Sequence, residues 1–355
     1  MHVPDGFIDA PVSIAAGVAA AGAVAVSLRG ARRELDERAA PLAGLVAAFI
    51  FAVQMLNFPV AAGTSGHLLG GALAAILVGP YTGVLCVSVV LLMQGVLFAD
   101  GGLTALGVNV MNMAVVTVVV AYAVFRGLLK LLPDTRRSVT VAAFAGALLS
   151  VPGAAVMFTL LYALGGTTDV PLGKVFTAMV GVHVLIGIGE AVITAATVGA
   201  VLAVRPDLVH GARGLAAPLK LRVGGELVDA PAAAPAAVPA PARSTKPVWI
   251  TGLVTALVLA GFVSFYASTS PDGLEKVAAD KGIDQKVKEH ASADSPLADY
   301  SVKDVGDARL SGGLAGVIGV GATVAVGTGI FWTLRRRRAE DLTATSTGST
   351  ASSAV

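Results

Sequence analysis

The chain has 355 residues, 55% hydrophobic and 14% charged, with a mean hydropathy of +0.80. So few polar groups cannot cover a water-facing surface, which excludes an ordinary soluble globular protein and predicts an all-α polytopic membrane protein. The net charge of +2 decides little, because in such a chain the position of charges matters more than their sum.

Apolar stretches of about 20 residues, the length a helix needs to cross the hydrocarbon core, run from 11 to 28, 41 to 60, 81 to 98, 107 to 125, 139 to 164, 176 to 204, 247 to 268 and 310 to 334. A shorter one runs from Leu68 to Gly79. Arg29, Arg32, Arg33 and Arg38 follow the first stretch, whereas a signal peptide carries its positive charge ahead of its apolar region. The first helix is therefore expected to stay uncleaved, with its N-terminus outside the plasma membrane. Nine crossings from that start place Arg126, Lys130, Arg136 and Arg137 inside, then Arg205, Arg213, Lys220, Arg222, Arg243 and Lys246, and finally Arg335 to Arg338 with the C-terminus. The excess of inward Lys and Arg supports the parity of the count.

Four segments follow. Residues 1–204 read as a seven-helix bundle, and 205–246 as a cytoplasmic linker, charged at first and Ala/Pro-rich from 230 to 243. Residues 247–338 read as a two-helix transmembrane hairpin with an extracytoplasmic loop, and 339–355, rich in Ser, Thr and Ala, as a disordered tail. Ala15, Ala19 and Ala23, four apart, form a face that another helix can approach closely, within the bundle or from a partner. Cys86 lies in an apolar run and reads as a small buried hydrophobe.

Polar groups recur where lipid would penalise them. The terminal amine of Met1, the amide nitrogen of His2 and its Nδ1 can chelate one divalent ion in fused rings. Such an all-nitrogen, tetragonal set favours Ni(II) or Cu(II). A fourth donor is needed, and His67 follows a break made by Pro59 and the glycines of Gly63-Thr64-Ser65-Gly66-His67. Irregular backbone at membrane depth survives only where protein or a polar cavity satisfies it, so His67 is expected on a loop-helix segment facing the interior. Gln94, Asn109 and Asn112 read as supports of the N-terminal loop, because neutral amides are weak donors to these metals. His183 and Glu190, seven apart, share one helix face, and Glu190 must find a donor on another helix or stay protonated. For a lone membrane histidine a structural hydrogen bond is the commoner role; it is the combination of His2 with His67 that points to a metal. Asp5 and Asp9 read as caps of the first helix, and His210 and His290 as solvated.

Met1-His2-Val3-Pro4-Asp5-Gly6-Phe7, Gly63-Thr64-Ser65-Gly66-His67-Leu68-Leu69-Gly70, Ala99-Asp100-Gly101-Gly102-Leu103-Thr104 and Gly107-Val108-Asn109-Val110-Met111-Asn112-Met113 together resemble the CbiM/NikM family. These are the substrate-binding components of energy-coupling factor transporters for cobalt and nickel. Pro271-Asp272-Gly273-Leu274-Glu275 resembles the PDGLE module, a CbiN/NikN-like component, so the chain looks like an M–N fusion. The resemblance implies a metal site at the Met1 amine, the His2 amide and imidazole, and the His67 imidazole. It implies Ni2+ or Co2+ as transported substrate, cobalt serving cobalamin biosynthesis, and a transmembrane T subunit with cytoplasmic ATPases as partners. No Walker A motif occurs, so nucleotide is expected on the partners, and no nucleic acid is expected.

Two rival readings use the same residues. An intramembrane metal-dependent hydrolase would join His183, Glu190 and His67, but the His-Glu-x-x-His motif is missing. A metal sensor would use the same site without transport.

Overall fold

The computed structural model describes residues 1–35, 39–61, 63–215, 220–223, 226–229 and 244–352. The chain is an all-α polytopic membrane protein, with seven helices among the described residues long and apolar enough to cross a bilayer. Helix α1 (Ala10–Glu34) starts where the Asp9 carboxylate accepts the Val12 N–H at 2.9 Å and Pro11 occupies the first turn. At its other end Glu34 accepts the Tyr81 and Thr82 N–H groups, at 3.2 and 2.7 Å, and so caps α4 (Pro80–Leu97). Ala15 and Ala19 lie exposed on α1 and Ala23 is partly exposed, whereas its buried positions are Ser13, Ala16, Ala20, Ser27, Ala31 and Glu34.

Helix α2 (Ala39–Gln54) ends in a short antiparallel hairpin, β1 (Phe58–Ala61) with β2 (Thr64–Gly66), in which Phe58 faces Gly66. The chain then enters the bundle in extended form and becomes α3 (Gly71–Val78), every residue of which is buried. Eight residues rise about 12 Å, well short of a bilayer core of roughly 30 Å. The stretch from Leu68 to Gly79, expected as a shorter crossing, is thus extended backbone followed by a short helix. The exposed amides this creates are answered by a neighbour: Glu190 accepts the Leu69 N–H at 2.7 Å and the Gly70 N–H at 3.1 Å.

Helices α5 (Leu106–Asn109) and α6 (Thr117–Leu129) are joined by a π-helical segment, Val110–Val116, into one span. Then come α7 (Arg136–Gly165) and α8 (Leu172–Val204), which carries His183 and Glu190. Cys86 is buried, as expected.

The charged part of the linker holds two 3-10 turns, Pro206–Leu208 and His210–Leu215, and an antiparallel pair, β3 (Lys220–Val223) with β4 (Glu226–Asp229). The Ala/Pro-rich stretch from 230 to 243 lies outside the described residues. The second unit comprises α9 (Lys246–Gly261), α10 (Gly273–Lys281) and α11 (Ala308–Ser352). Disorder was expected from residue 339 onward, yet the backbone stays helical to Ser352. No proline interrupts it, and Arg335 to Leu342 are mostly good helix formers.

Helix α11 lies along α2 so closely that a Cβ on Gly319 would meet the Phe51 ring, and one on Gly44 would meet Thr328. The loop between α9 and α11 spreads over one end of the bundle. There the Ser268 N–H donates to Asn57 O (2.7 Å), Ser65 N–H to Pro271 O (2.8 Å) and Asp299 N–H to Phe98 O (2.9 Å).

Glu190→Ala is expected to lower thermal stability by about 1–3 kcal/mol for each amide left without an acceptor, and Glu190→Gln by less. Thermal melts of the purified variants in detergent check this; an unchanged Glu190→Ala midpoint contradicts the bracing role.

Candidate metal centre

Residues 1–9 fold back into the end of the bundle under the second unit. Met1 is 2% exposed and Val3 fully buried. Asn109 holds Val3 like a paired strand: its Oδ1 accepts the Val3 N–H at 2.7 Å and its amide donates to Val3 O at 3.1 Å. The Gly102 N–H also donates to Val3 O, at 2.9 Å. Asp9 is the helix cap that was expected, but Asp5 is not one. Its carboxylate accepts the Thr104 N–H at 2.8 Å and the Thr104 hydroxyl, fastening the N-terminal loop to the 99–104 loop.

This anchoring sets the Met1 nitrogen 2.9 Å from His67 Nε2. His67 Nδ1 lies 2.9 Å from Leu68 O, a pure acceptor, so Nδ1 carries the hydrogen and Nε2 presents its lone pair. Two nitrogens bound side by side to one ion at about 2.0 Å are about 2.8 Å apart, which is close to the observed separation. The His2 and His67 ring centroids are 5.2 Å apart. His2 Nδ1 is 3.1 Å from Asp100 Oδ1 but out of line for a hydrogen bond. Burial pushes the His2 imidazole down to about 4, against the pull of Asp100, so the ring is neutral and its nitrogens are free to bind metal at neutral pH. The structure therefore brings Met1, His2 and His67 together as expected. Among the described residues no three His, Cys, Asp or Glu side chains form a metal centre of their own.

The supporting residues divide. Asn109 holds the loop, whereas the Asn112 side-chain amide is buried without a hydrogen bond; Gln94 acts through its main-chain carbonyl, which accepts the Asp100 N–H at 3.1 Å, and its side chain lies against Tyr300. Glu190 gives both oxygens to Leu69 and Gly70, so the carboxylate named in the hydrolase reading braces the segment after His67. His183 is buried near the site, its Nδ1 bonded to Met179 O at 2.7 Å.

Sequence reasoning did not single out Asp272 of the second unit as part of the site. Asp272 starts α10 with a capping box, its Oδ1 accepting the Glu275 N–H at 2.8 Å. Its other oxygen, Oδ2, lies 2.5 Å from the Met1 nitrogen and 3.6 Å from His67 Nε2. Burial works to raise this carboxyl, but the adjacent ammonium and the His67 ring outweigh it and hold Asp272 well below the usual carboxylate range. Tyr300 donates to Asp100 Oδ2 at 2.5 Å. His290, expected to be solvated, instead has Nε2 3.1 Å from Gly101 O. The local spacing Asp272-x-x-Glu275 reads as a plain helix start.

The family model for CbiM, the cobalt uptake substrate-specific transmembrane region, matches residues 2–208. The chain belongs to the CbiM family. The PDGLE domain model matches residues 246–336, so the chain carries both modules. It is 40% identical to a protein of Haloquadratum walsbyi described as a metal transport protein, over 59% of this chain and 93% of that one. It is 37% identical to the fused nickel transport protein NikMN of Rhodobacter capsulatus, over 61% of this chain and 66% of that one. A crystal structure of a truncated transition metal transporter, 29% identical, superposes with a TM-score of 0.50 over 57% of this chain and 99% of the other.

His2→Ala and His67→Ala are each expected to abolish nickel and cobalt binding without loss of fold, and so is one extra residue ahead of Met1, which displaces the amine. Equilibrium dialysis with native-terminus protein measures this; unchanged affinity in any of the three contradicts the site.

Proposed function

We propose that the chain is the substrate-binding membrane component of an energy-coupling factor importer for nickel or cobalt, cobalt serving cobalamin biosynthesis. The observation that carries this reading is the buried Met1 amine 2.9 Å from His67 Nε2, with His2 next in sequence. Nothing comparable is needed by a structural membrane bundle. The relatives' assignment to metal and nickel transport supports the same reading.

In the proposed cycle the site opens to the outside, where the N-terminus and the 269–309 loop lie, and the C-terminus is cytoplasmic. The arriving ion replaces protons on the Met1 ammonium and the His2 amide and takes its fourth nitrogen from His67. Its way in is the cleft of roughly 680 Å³ between the two units, whose lining includes His2, His67, Asp100, Asp272 and Glu275. Carboxylates there attract the hydrated cation. Asp272 holds the metal-free amine as an ion pair and must let go as the metal enters; this is how the 269–309 loop acts on the site. A transmembrane T subunit and cytoplasmic ATPases supply the energy for release to the cytoplasm.

Proteoliposomes holding the chain with its T subunit and ATPases are expected to accumulate nickel or cobalt on ATP hydrolysis. Binding without accumulation favours the sensor reading instead. Asp272→Asn is expected to destabilise the metal-free protein by about 3–5 kcal/mol, because it leaves a buried ammonium without a counter-charge. The metal-loaded protein should change less. Melting curves with and without metal check this, and equal shifts in the two states contradict the exchange of partners.

A further inference from the structure

His183 is a buried group that the four-nitrogen site does not use. It lies on α8, is 1% exposed, and its Nδ1 is 2.7 Å from Met179 O. A carbonyl can only accept, so Nδ1 carries the hydrogen and Nε2 is a bare acceptor, left without any hydrogen-bond partner. Leaving such a group unsatisfied in a buried position is costly, which asks for a use. His67 is wired in the same way, with Nδ1 to a main-chain carbonyl and Nε2 toward the Met1 nitrogen. Both imidazoles line one closed gap, together with Met1, Asp272 and Gly273, that has no room for a water molecule. A Cβ on Gly273 would lie 3.2 Å from His183 Cε1, so the ring edge reaches the segment that carries Asp272. His2 and Asp100 line the larger cleft, which shares His67 and Asp272 with this gap, and do not border the gap itself.

We propose that His183 Nε2 is an apical donor to the ion held by Met1, His2 and His67, reaching it from the closed face, and that it determines how the site ranks cobalt against nickel. The inference rests on the four-nitrogen reading of the site and deepens it. Nickel(II) in a planar field of four strong nitrogen donors fills its axial orbital and gains nothing from a fifth ligand. Cobalt(II), with one electron fewer, has a half-filled axial orbital that accepts one. An imidazole on the axis therefore stabilises bound cobalt selectively. Among the described residues His183, His67 and Asp272 do not group as a side-chain metal site, so His183 must close toward the ion as it binds.

The test uses the full chain with its native N-terminus, purified in detergent and loaded with Co(II) or Ni(II) alone. X-ray absorption of the cobalt-loaded protein should count three imidazoles; two overturns the inference. His183→Asn keeps an amide N–H where Nδ1 stood, for Met179, but removes Nε2. It should weaken cobalt binding about tenfold while leaving nickel binding within about twofold. Equal loss for both ions, or none for either, overturns the inference. If His183→Asn does not fold, the imidazole count of the unsubstituted protein decides alone. His2→Ala separates the two levels: retained binding in that variant defeats the four-nitrogen reading, whereas its loss beside an unchanged His183→Asn defeats only the apical role.

Discussion

A chain terminus withdrawn from water is the constraint on which the rest of this molecule turns. The Met1 ammonium is buried, and an unpaired charge there would cost several kcal/mol. The charge is answered by Asp272 at 2.5 Å, with His67 Nε2 at 2.9 Å. Three separate contacts hold the terminus in this position: Asn109 on Val3, Thr104 on Asp5, and the Thr167 N–H on Phe7 O at 3.1 Å. Each belongs to a different loop or helix, so several crossings converge on the first seven residues.

The same requirement explains the irregular crossing. A continuous helix would have directed the backbone amides around His67 into its own ladder. Extended chain up to Gly70, whose φ of +87° suits glycine, frees the Leu69 and Gly70 N–H groups for Glu190. Glu190 thereby links α8 to the segment that carries His67 through two hydrogen bonds.

Much of this was legible in the sequence. Apolar stretches located the spans because lipid penalises polar runs, and Pro59 with its glycines marked the broken crossing. His2 and His67 were legible because their chemistry is local: a terminal chelate lacking one donor, and a histidine beside a helix break. Asn109 was found by its placement, but Asn112, three residues on, was wrongly grouped with it; which of two neighbouring amides reaches the loop depends on packing, not spacing. Asp272 was not found because its pairing spans 271 positions and its local pattern is fully explained as a capping box. The β3–β4 pair was missed although Gly224 and Gly225 separate two four-residue strands, a spacing that favours a hairpin.

Joining the two units in one chain has a physical consequence. A carboxylate delivered by a separate protein would have to overcome the loss of translational and rotational freedom at each encounter, whereas a tethered one acts at an effective concentration set by the tether. Asp272 is further restrained by α10, which its Oδ1 caps, and by the Ser65 hydroxyl, which donates to Ser270 O and Pro271 O just ahead of it. One oxygen of Asp272 is committed to the helix and the other to the ammonium. A movement of the second unit that keeps α10 intact therefore carries the carboxylate off the amine as a rigid piece.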